Sequence, residues 1–226
     1  MRSSTSKPYA NARSNPCVLL TGFDVFGGAS VNPSWLAVQA LDGLEISGHR
    51  VVAAQLPTTF AGSLQTLAKL LKLYKPVLVI CVGMAGGRSA LSIERIAINI
   101  NDARIADNAG EQPLDTPVVP GGPAGYFSTL PVKAMLRTLE EAGIASELSQ
   151  TAGTFVCNHV FYGLMHALAK QRGGKRARGG FVHVPCLPHQ GAPNMTLEHM
   201  VRGLGLAVEC ALTTNIDIAH GAGAIS

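Results

Sequence analysis

A continuous apolar run, PVLVICVG at residues 76–83, constrains the fold of this sequence more than any other feature. Every side chain after its proline is apolar, so a strand made from it would have no face suited to water. Such runs are typical of parallel strands that helices cover on both faces. A second run of the same kind, CVLLTG, occupies residues 17–22. The two runs predict a sheet at the centre of the molecule.

Patterns typical of helices alternate with further extended segments along the chain. Helical spacing follows Pro33 and then Thr58 and Thr59, and it returns at 131–142, 156–170 and 196–213. Extended patterns occur at 50–55, 96–100 and 180–186. The alternation predicts an α/β fold of three layers, a sheet with helices on both faces. With 226 residues and no dividing linker, we expect one domain over 16–226 after a flexible leader at 1–15.

The composition argues against several classes of function. The net charge of +4 is small, and its densest cluster, Lys170 to Arg178, lacks interleaved aromatic residues, so we expect no nucleic-acid partner. No apolar run approaches the roughly 20 residues that span a bilayer, and the polar leader lacks the core of a signal peptide, so no membrane partner is expected. Five cysteines without paired spacing indicate reduced thiols in the cytoplasm.

Two further features suggest contacts between subunits. Charged residues make up only 14% of the chain, against roughly 25% in typical soluble domains. The segment 101–130 is rich in proline and glycine and predicts a long excursion, and loops of this length are usually functional or involved in contacts.

Cys157 is a candidate nucleophile because a helical pattern begins around it, after GTFV. The helix dipole would lower the pKa of a thiol in the first turn and favour the thiolate. The alternative is a buried structural cysteine, and the residue alone does not decide between them. Cys17, Cys81 and Cys210 lie in apolar patterns that favour core packing.

His183 is a candidate general base, since it stands near the end of the strand-like FVHVP, where sites of open α/β sheets are found. A hydrogen-bonded core histidine is the alternative. His159 lies two residues after Cys157, and on a helix it would point to a different face. Glu94 is an isolated carboxylate that either pairs with a nearby arginine such as Arg95 or orients an imidazole as the third member of a triad.

Two rival sites can be drawn from the same regions. His183, Cys186 and His189 lie close together and with Cys157 form a possible zinc site, although the paired spacings of structural zinc sites are missing. The glycine-rich GMAGGR at 83–88 could hold a phosphate at a helix start, but it matches neither common nucleotide-binding pattern.

Seven segments together resemble the pyroglutamyl-peptidase I family of cysteine peptidases, also called pyrrolidone-carboxylate peptidases. They are LLTGFDVFGG (19–28), VNPSW (31–35), ICVGMAGGR (80–88), ERIAIN (94–99), NDARIADNAGEQP (101–113), TAGTFVCNHVFYGLM (151–165) and GGFVHVP (179–185). They occur in the order of the family and extend over most of the chain, which is more specific than any single triplet.

The resemblance implies a twisted, mostly parallel sheet between helices, a homotetramer, and hydrolysis of the N-terminal pyroglutamyl residue of peptides without metal or other cofactor. By motif, Cys157 is the nucleophile, His183 the base and Glu94 the residue that orients it. The resemblance also gives substrate-binding roles to seven other residues: Phe23, Phe26, Asn32, Met84, Arg104, Phe155 and Val156. Of these, Arg104 would help the Cys157 backbone N–H to stabilise the oxyanion.

Two positions depart from the family. Val25 replaces the usual proline of the GFDVF turn, and Met84 replaces a glutamine that faces the lactam pocket. Met84 therefore keeps open a weak or inactive paralogue that binds another small ligand. A phosphate- or nucleoside-binding transferase of similar fold is the other alternative, by fold analogy alone.

Overall fold

The computed structural model describes residues 16–171 and 176–223. The expected leader, 1–15, lies outside the described residues. In chain order the strands are β1 Cys17–Phe23, β2 Glu45–Ile46, β3 His49–Leu56, β4 Leu78–Met84, β5 Leu91–Glu94, β6 Ile96–Ile98, β7 Gly125–Phe127, β8 Ser146–Ser149 and β9 Arg178–Val184. The α-helices are α1 Pro33–Gln39, α2 Phe60–Tyr74, α3 Val132–Glu141, α4 Val156–Ala169 and α5 Leu197–Thr213.

Seven strands form the central sheet, in the order β2-β3-β1-β4-β9-β5-β8. The core strands β3, β1, β4 and β9 are parallel, and β8 is parallel to β5. Among the described strands of this sheet, two neighbouring pairs are antiparallel, β2 with β3 and β5 with β9. The predicted α/β fold with a mostly parallel sheet is confirmed. The two apolar runs form β1 and β4, which are adjacent at the centre of the sheet.

Helices cover both faces of the sheet, and each face has its own hydrophobic core. Helices α1, α3 and α5 pack on one face, against side chains such as Leu20 and Ile80. Helices α2 and α4 pack on the other, against side chains such as Leu19 and Val79. Alternate residues of one strand thus enter opposite cores, which explains why these strands are apolar throughout.

The predicted starts of α1 and α2 are confirmed, and hydrogen bonds at the helix caps explain both. Pro33 stands at the first position of α1, and the Asn32 side chain accepts the Ser34 N–H at 3.0 Å. At α2 the cap is Thr59, whose hydroxyl accepts the Gly62 N–H at 3.2 Å. Thr58 instead bonds to the loop after β1, as described below. None of the described helices is long and apolar enough to cross a membrane.

The extended segment predicted over 96–100 is present but shorter, since β6 ends at Ile98. The chain breaks at Arg95: β5 joins the central sheet, whereas β6 pairs with β7 in a separate two-stranded sheet. In β6 the buried residue is Ala97 and not the larger Ile96 or Ile98. Strands β2, β5, β7 and β8 were not predicted, because segments of two to four residues are too short to show a clear period.

Candidate active site

The site lies where β4 and β9 end side by side. These parallel strands pair Gly83 with His183, the penultimate residues of both. Paired residues in a parallel ladder direct their side chains to the same face, here the face covered by α4. Phe181 points to that face too, and its ring lies 4.8 Å from the His183 ring, centroid to centroid.

Gly83 leaves the space that the sulfur of Cys157 occupies. A Cβ atom built on Gly83 would lie 2.8 Å from Cys157 Sγ and 2.8 Å from Phe181 Cζ, closer than real Cβ atoms approach other atoms. The thiol therefore rests directly on the backbone of β4, beside the residue that pairs with His183. The fold thus brings together the two residues that sequence analysis chose as nucleophile and base.

Glu94 completes the cluster from the next strand. It pairs with Phe181 across β5 and β9, so its side chain is diagonal to that of His183. Its Oε1 lies 2.7 Å from His183 Nδ1, and the side chains of Glu94 and His183 are 0% and 4% exposed. This hydrogen bond engages Nδ1 and leaves Nε2 as the nitrogen able to take a proton from a reacting group.

Glu94 also forms an ion pair, but not with the arginine that sequence analysis suggested. Its partner is Arg88, whose Nη1 lies 2.8 Å from Oε1. Arg95 lines a separate cavity with Lys133 and Arg178. Arg95 lies at the break between β5 and β6 and forms no ion pair with Glu94 among the described residues.

Cys157 occupies the second position of α4, as its motif predicted. The preceding cap residue, Phe155, has no side-chain acceptor, so it does not satisfy the free N–H groups of the first turn. These N–H groups, including that of Cys157, can stabilise an oxyanion. The predicted lowering of the thiol pKa is wrong: burial, together with the charge of Glu94, raises the pKa of Cys157 to about 12, while Arg88 acts to lower it. The thiol therefore keeps its proton until a base removes it.

A small, mostly apolar cavity opens onto the thiol. Its volume is about 80 Å³, far below the roughly 300–1,000 Å³ of drug-sized ligand pockets, so it suits one ring-sized group. The lining combines Cys157 and Thr58 with six of the seven residues to which the family resemblance gave substrate-binding roles: Phe23, Phe26, Asn32, Met84, Phe155 and Val156.

Hydrogen bonds fix the loops that carry these walls. Asn32 Nδ2 donates to the Asp24 carbonyl at 2.7 Å, and Asp24 Oδ1 accepts from the N–H and the hydroxyl of Thr58, at 2.7 and 2.6 Å. Asp24 and Thr58 were not predicted as site residues. Their positions one residue after β1 and two residues after β3 were the available signal, since sites of parallel sheets form at the carboxyl ends of strands.

Arg104 does not line this cavity in the described part of the chain. It lies exposed in the loop after β6. Two residues earlier, the Asp102 N–H donates to the Thr154 carbonyl at 3.0 Å, which places this loop beside the start of α4. The role of Arg104 at the oxyanion stays a prediction.

The rival sites receive no support from the geometry. Among residues 16–171 and 176–223, no three His, Cys, Asp or Glu side chains are grouped as a metal would require. Cys186 Sγ contacts Met84 Sδ at 3.7 Å instead. After GMAGGR the chain continues into β5, so the helix start that a phosphate cradle needs is not at this position. His159 is turned away from the thiol, and its Nδ1 lies 2.9 Å from Asn101 Oδ1.

Comparisons with known proteins agree with this geometry. The family model for pyroglutamyl peptidases matches residues 17–214. A pyrrolidone-carboxylate peptidase of Cupriavidus taiwanensis is 54% identical over 213 residues, which cover 92% of this chain and 98% of the relative. Pyrrolidone-carboxylate peptidase 1 of Ralstonia nicotianae is 55% identical with the same coverage.

Solved structures give the same result. The crystal structure of pyroglutamyl peptidase I from Bacillus amyloliquefaciens has a TM-score of 0.88 and 44% identity, and the match covers 92% of this chain and all (100%) of the other. Pyrrolidone carboxyl peptidase from Thermococcus litoralis has a TM-score of 0.85 and 36% identity, with 91% and 100% covered.

Proposed function

This chain belongs to the pyroglutamyl peptidase family, and on that basis we propose that Glu94, Cys157 and His183 form its catalytic triad. It is a cysteine peptidase that hydrolyses the N-terminal pyroglutamyl residue of peptides. The observation that carries the proposed roles is the placement of one thiol. The Cys157 thiol lines the small cavity and packs on Gly83. It also lies next to the hydrogen-bonded pair of His183 and Glu94.

The reaction needs a proton transfer before the nucleophile is strong. Because desolvation and the charge of Glu94 raise the pKa of the half-buried thiol to about 12, His183 Nε2 takes the thiol proton as the sulfur attacks the pyroglutamyl carbonyl carbon. The negative charge moves to the carbonyl oxygen, where the free N–H groups of α4 stabilise it. Arg104 is proposed to assist from the adjoining loop.

The intermediate then collapses in two stages. Its C–N bond breaks, and protonated His183 gives the proton to the leaving amine, which departs with the rest of the peptide. The pyroglutamyl group stays on sulfur as a thioester. A water molecule that loses a proton to His183 attacks this thioester and releases pyroglutamate, and the thiol regains its proton. No step requires a metal or an organic cofactor.

The cavity accounts for the choice of substrate. A pyroglutamyl residue has no free α-amino group, so an ammonium-binding site would not recognise it. The phenylalanine rings of the cavity, with Phe26 and Phe155 centroids 5.4 Å apart, offer apolar walls to a flat lactam. Asn32 is proposed to hold the loop that forms the pocket, since it bonds to the Asp24 carbonyl.

Hydrolysis of pyroglutamyl-7-amido-4-methylcoumarin tests the assignment, with the prolyl and glutamyl amides as controls for ring and lactam. We expect cleavage of the pyroglutamyl amide alone. Cys157→Ala should abolish it, and Cys157→Ser should leave a small residual rate, since a hydroxyl is a much weaker nucleophile here. The matched control is Cys17→Ser. The wild-type Cys17 thiol donates to the Tyr74 carbonyl, away from the site, so its loss should leave activity unchanged. Near-normal turnover by Cys157→Ala would refute the triad.

We also propose that the protein acts in the cytoplasm as a homotetramer. Large apolar side chains stand exposed on the 101–130 segment: Ile105 (57%), Leu114 (63%) and Phe127 (66%). Contacts between subunits would cover such a surface. Sedimentation that shows a stable monomer near 24 kDa at micromolar concentration would contradict this assembly (the chain mass is 23.6 kDa).

A further inference from the structure

Arg88 holds a position that the triad alone does not explain. Glu94 Oε1 lies between two cations or potential cations, His183 Nδ1 at 2.7 Å and Arg88 Nη1 at 2.8 Å. Among the described residues these are the only salt bridges that Glu94 makes. The carboxylate is 0% exposed, and a buried charge is costly unless it is paired.

The second arm of the same guanidinium reaches a different loop. Arg88 Nη2 donates to the Thr151 carbonyl at 3.1 Å, and Ser149 Oγ donates to that carbonyl at 3.0 Å. Thr151 lies at the start of the segment that leads through Phe155 into α4 and Cys157. One planar side chain therefore links the carboxylate that holds the base to the loop that carries the nucleophile.

The backbone before Arg88 is shaped for this contact. Gly87 has φ +84°, a left-handed conformation that favours glycine, and it reverses the chain after β4. This turn brings Arg88 to the same face as Glu94, six residues later. The Arg88 side chain is only 26% exposed, and both of its terminal nitrogens are hydrogen-bonded.

We propose that Arg88 is a positioning residue of the reaction, which fixes Glu94 against His183 and ties both to the loop before Cys157. The proposal rests on the proposed triad and extends it by a fourth group, which acts through its contacts with Glu94 and the Thr151 carbonyl. Three titratable or charged groups face Glu94 or lie close to it: His183 from β9, Arg88 from the turn after β4 and Cys157 from α4.

The test compares Arg88→Gln and Arg88→Lys with Arg95→Gln, which removes the neighbouring arginine that lines a separate cavity. We expect Arg88→Gln to lower kcat about tenfold or more, because small misplacements of reacting groups are costly, and to change KM little. The unopposed charge of Glu94 should favour protonated His183, so the acidic limb of kcat/KM should move to higher pH. Arg88→Lys should return the acidic limb to its wild-type pH but restore only part of kcat. One ammonium group cannot bind both Glu94 and the Thr151 carbonyl as the guanidinium does.

A readout without substrate separates this role from a merely structural one. The rate at which iodoacetamide alkylates Cys157, followed by mass spectrometry against pH, should shift in the same direction in Arg88→Gln and stay at the wild-type values in Arg95→Gln. If Arg88→Gln does not fold, Arg88→Lys decides, since wild-type kcat in that variant would overturn the proposal.

The two proposals fail in different ways. Cleavage by Cys157→Ala would refute the triad itself. If Cys157→Ala is inactive while Arg88→Gln matches Arg95→Gln in kcat, pH profile and alkylation, the triad stands and the role of Arg88 is refuted.

Discussion

Gly83→Ala should disable the peptidase while leaving the chain folded. The added methyl carbon would stand 2.8 Å from both Cys157 Sγ and Phe181 Cζ. Non-bonded carbon atoms prefer separations of about 3.5–4.0 Å, so the thiol or the ring has to move by roughly 1 Å. Phe181 is completely buried, and the sulfur is the neighbour on the cavity side. We therefore expect most of the movement at Cys157.

The size of the effect follows from that displacement. A misplacement of about 1 Å at a reacting group can lower a rate about a hundredfold, or by roughly 2.7 kcal/mol of transition-state free energy. Overpacking a filled interior costs about 1–3 kcal/mol of folding free energy, so the variant should still be folded at room temperature. The loss should therefore appear in kcat/KM far more strongly than in folded fraction.

The assay is kcat/KM on the pyroglutamyl coumarin amide, with the free energy of unfolding from urea titration. Gly86→Ala is the matched control from the same segment, because its Cβ would lie 3.9 Å from Cys186 Sγ, an ordinary contact. It should keep activity within about threefold of wild type, since surface changes away from such features are usually small. If Gly83→Ala were as active as Gly86→Ala, the thiol could not rest on β4 as described.

Three further outcomes are expected. Met84→Gln should raise kcat/KM several-fold on the same substrate, because an amide adds a hydrogen bond of about 0.5–1.5 kcal/mol that a thioether lacks; an unchanged value would mean that only the backbone at this position recognises the lactam. Burial lowers the pKa of His159 from 6.5 to about 4, so the unfolded chain binds the proton more readily and the free energy of unfolding should fall as pH drops through that window. That loss, about 3 kcal/mol at most, should be smaller in His159→Gln. The measurement is the free energy of unfolding from urea titration at pH 7 and at pH 4.5, and an equal decrease in both proteins would contradict the prediction. Activity should survive exhaustive dialysis against EDTA, because the proposed proton transfers use Cys157 and His183 alone. A loss of activity that added zinc restores would instead support a zinc site.

Local pattern was sufficient for most of the fold. Strands β1 and β4 and helix α5 were predictable because each has enough residues to show a clear apolar run or helical period. Strands β2, β5, β7 and β8 were missed because two to four residues are too few to show a period. Sheet order and register were beyond local pattern, since they depend on pairings between segments far apart in the chain.

The candidate site was predictable only where a motif names the residue. Glu94, Cys157 and His183 come from three different elements, and nothing in their spacing shows that the elements meet. The resemblance supplied those three residues and the six cavity residues. It did not supply Thr58 or Asp24, which act through hydrogen bonds between the loops after β1 and β3.

The glycine-rich segment shows why one pattern allowed two interpretations. From sequence, GMAGGR was a possible phosphate-binding segment. That interpretation requires a helix directly after the segment, whose free N–H groups would face the anion. In the structure the segment leads into β5, and its parts serve the thiol site instead. Gly83 makes room for the Cys157 sulfur, and Gly87 turns the chain so that Arg88 reaches Glu94. Glycines that permit close approach and glycines that bind phosphate look the same in sequence, and only the element that follows them separates the two uses.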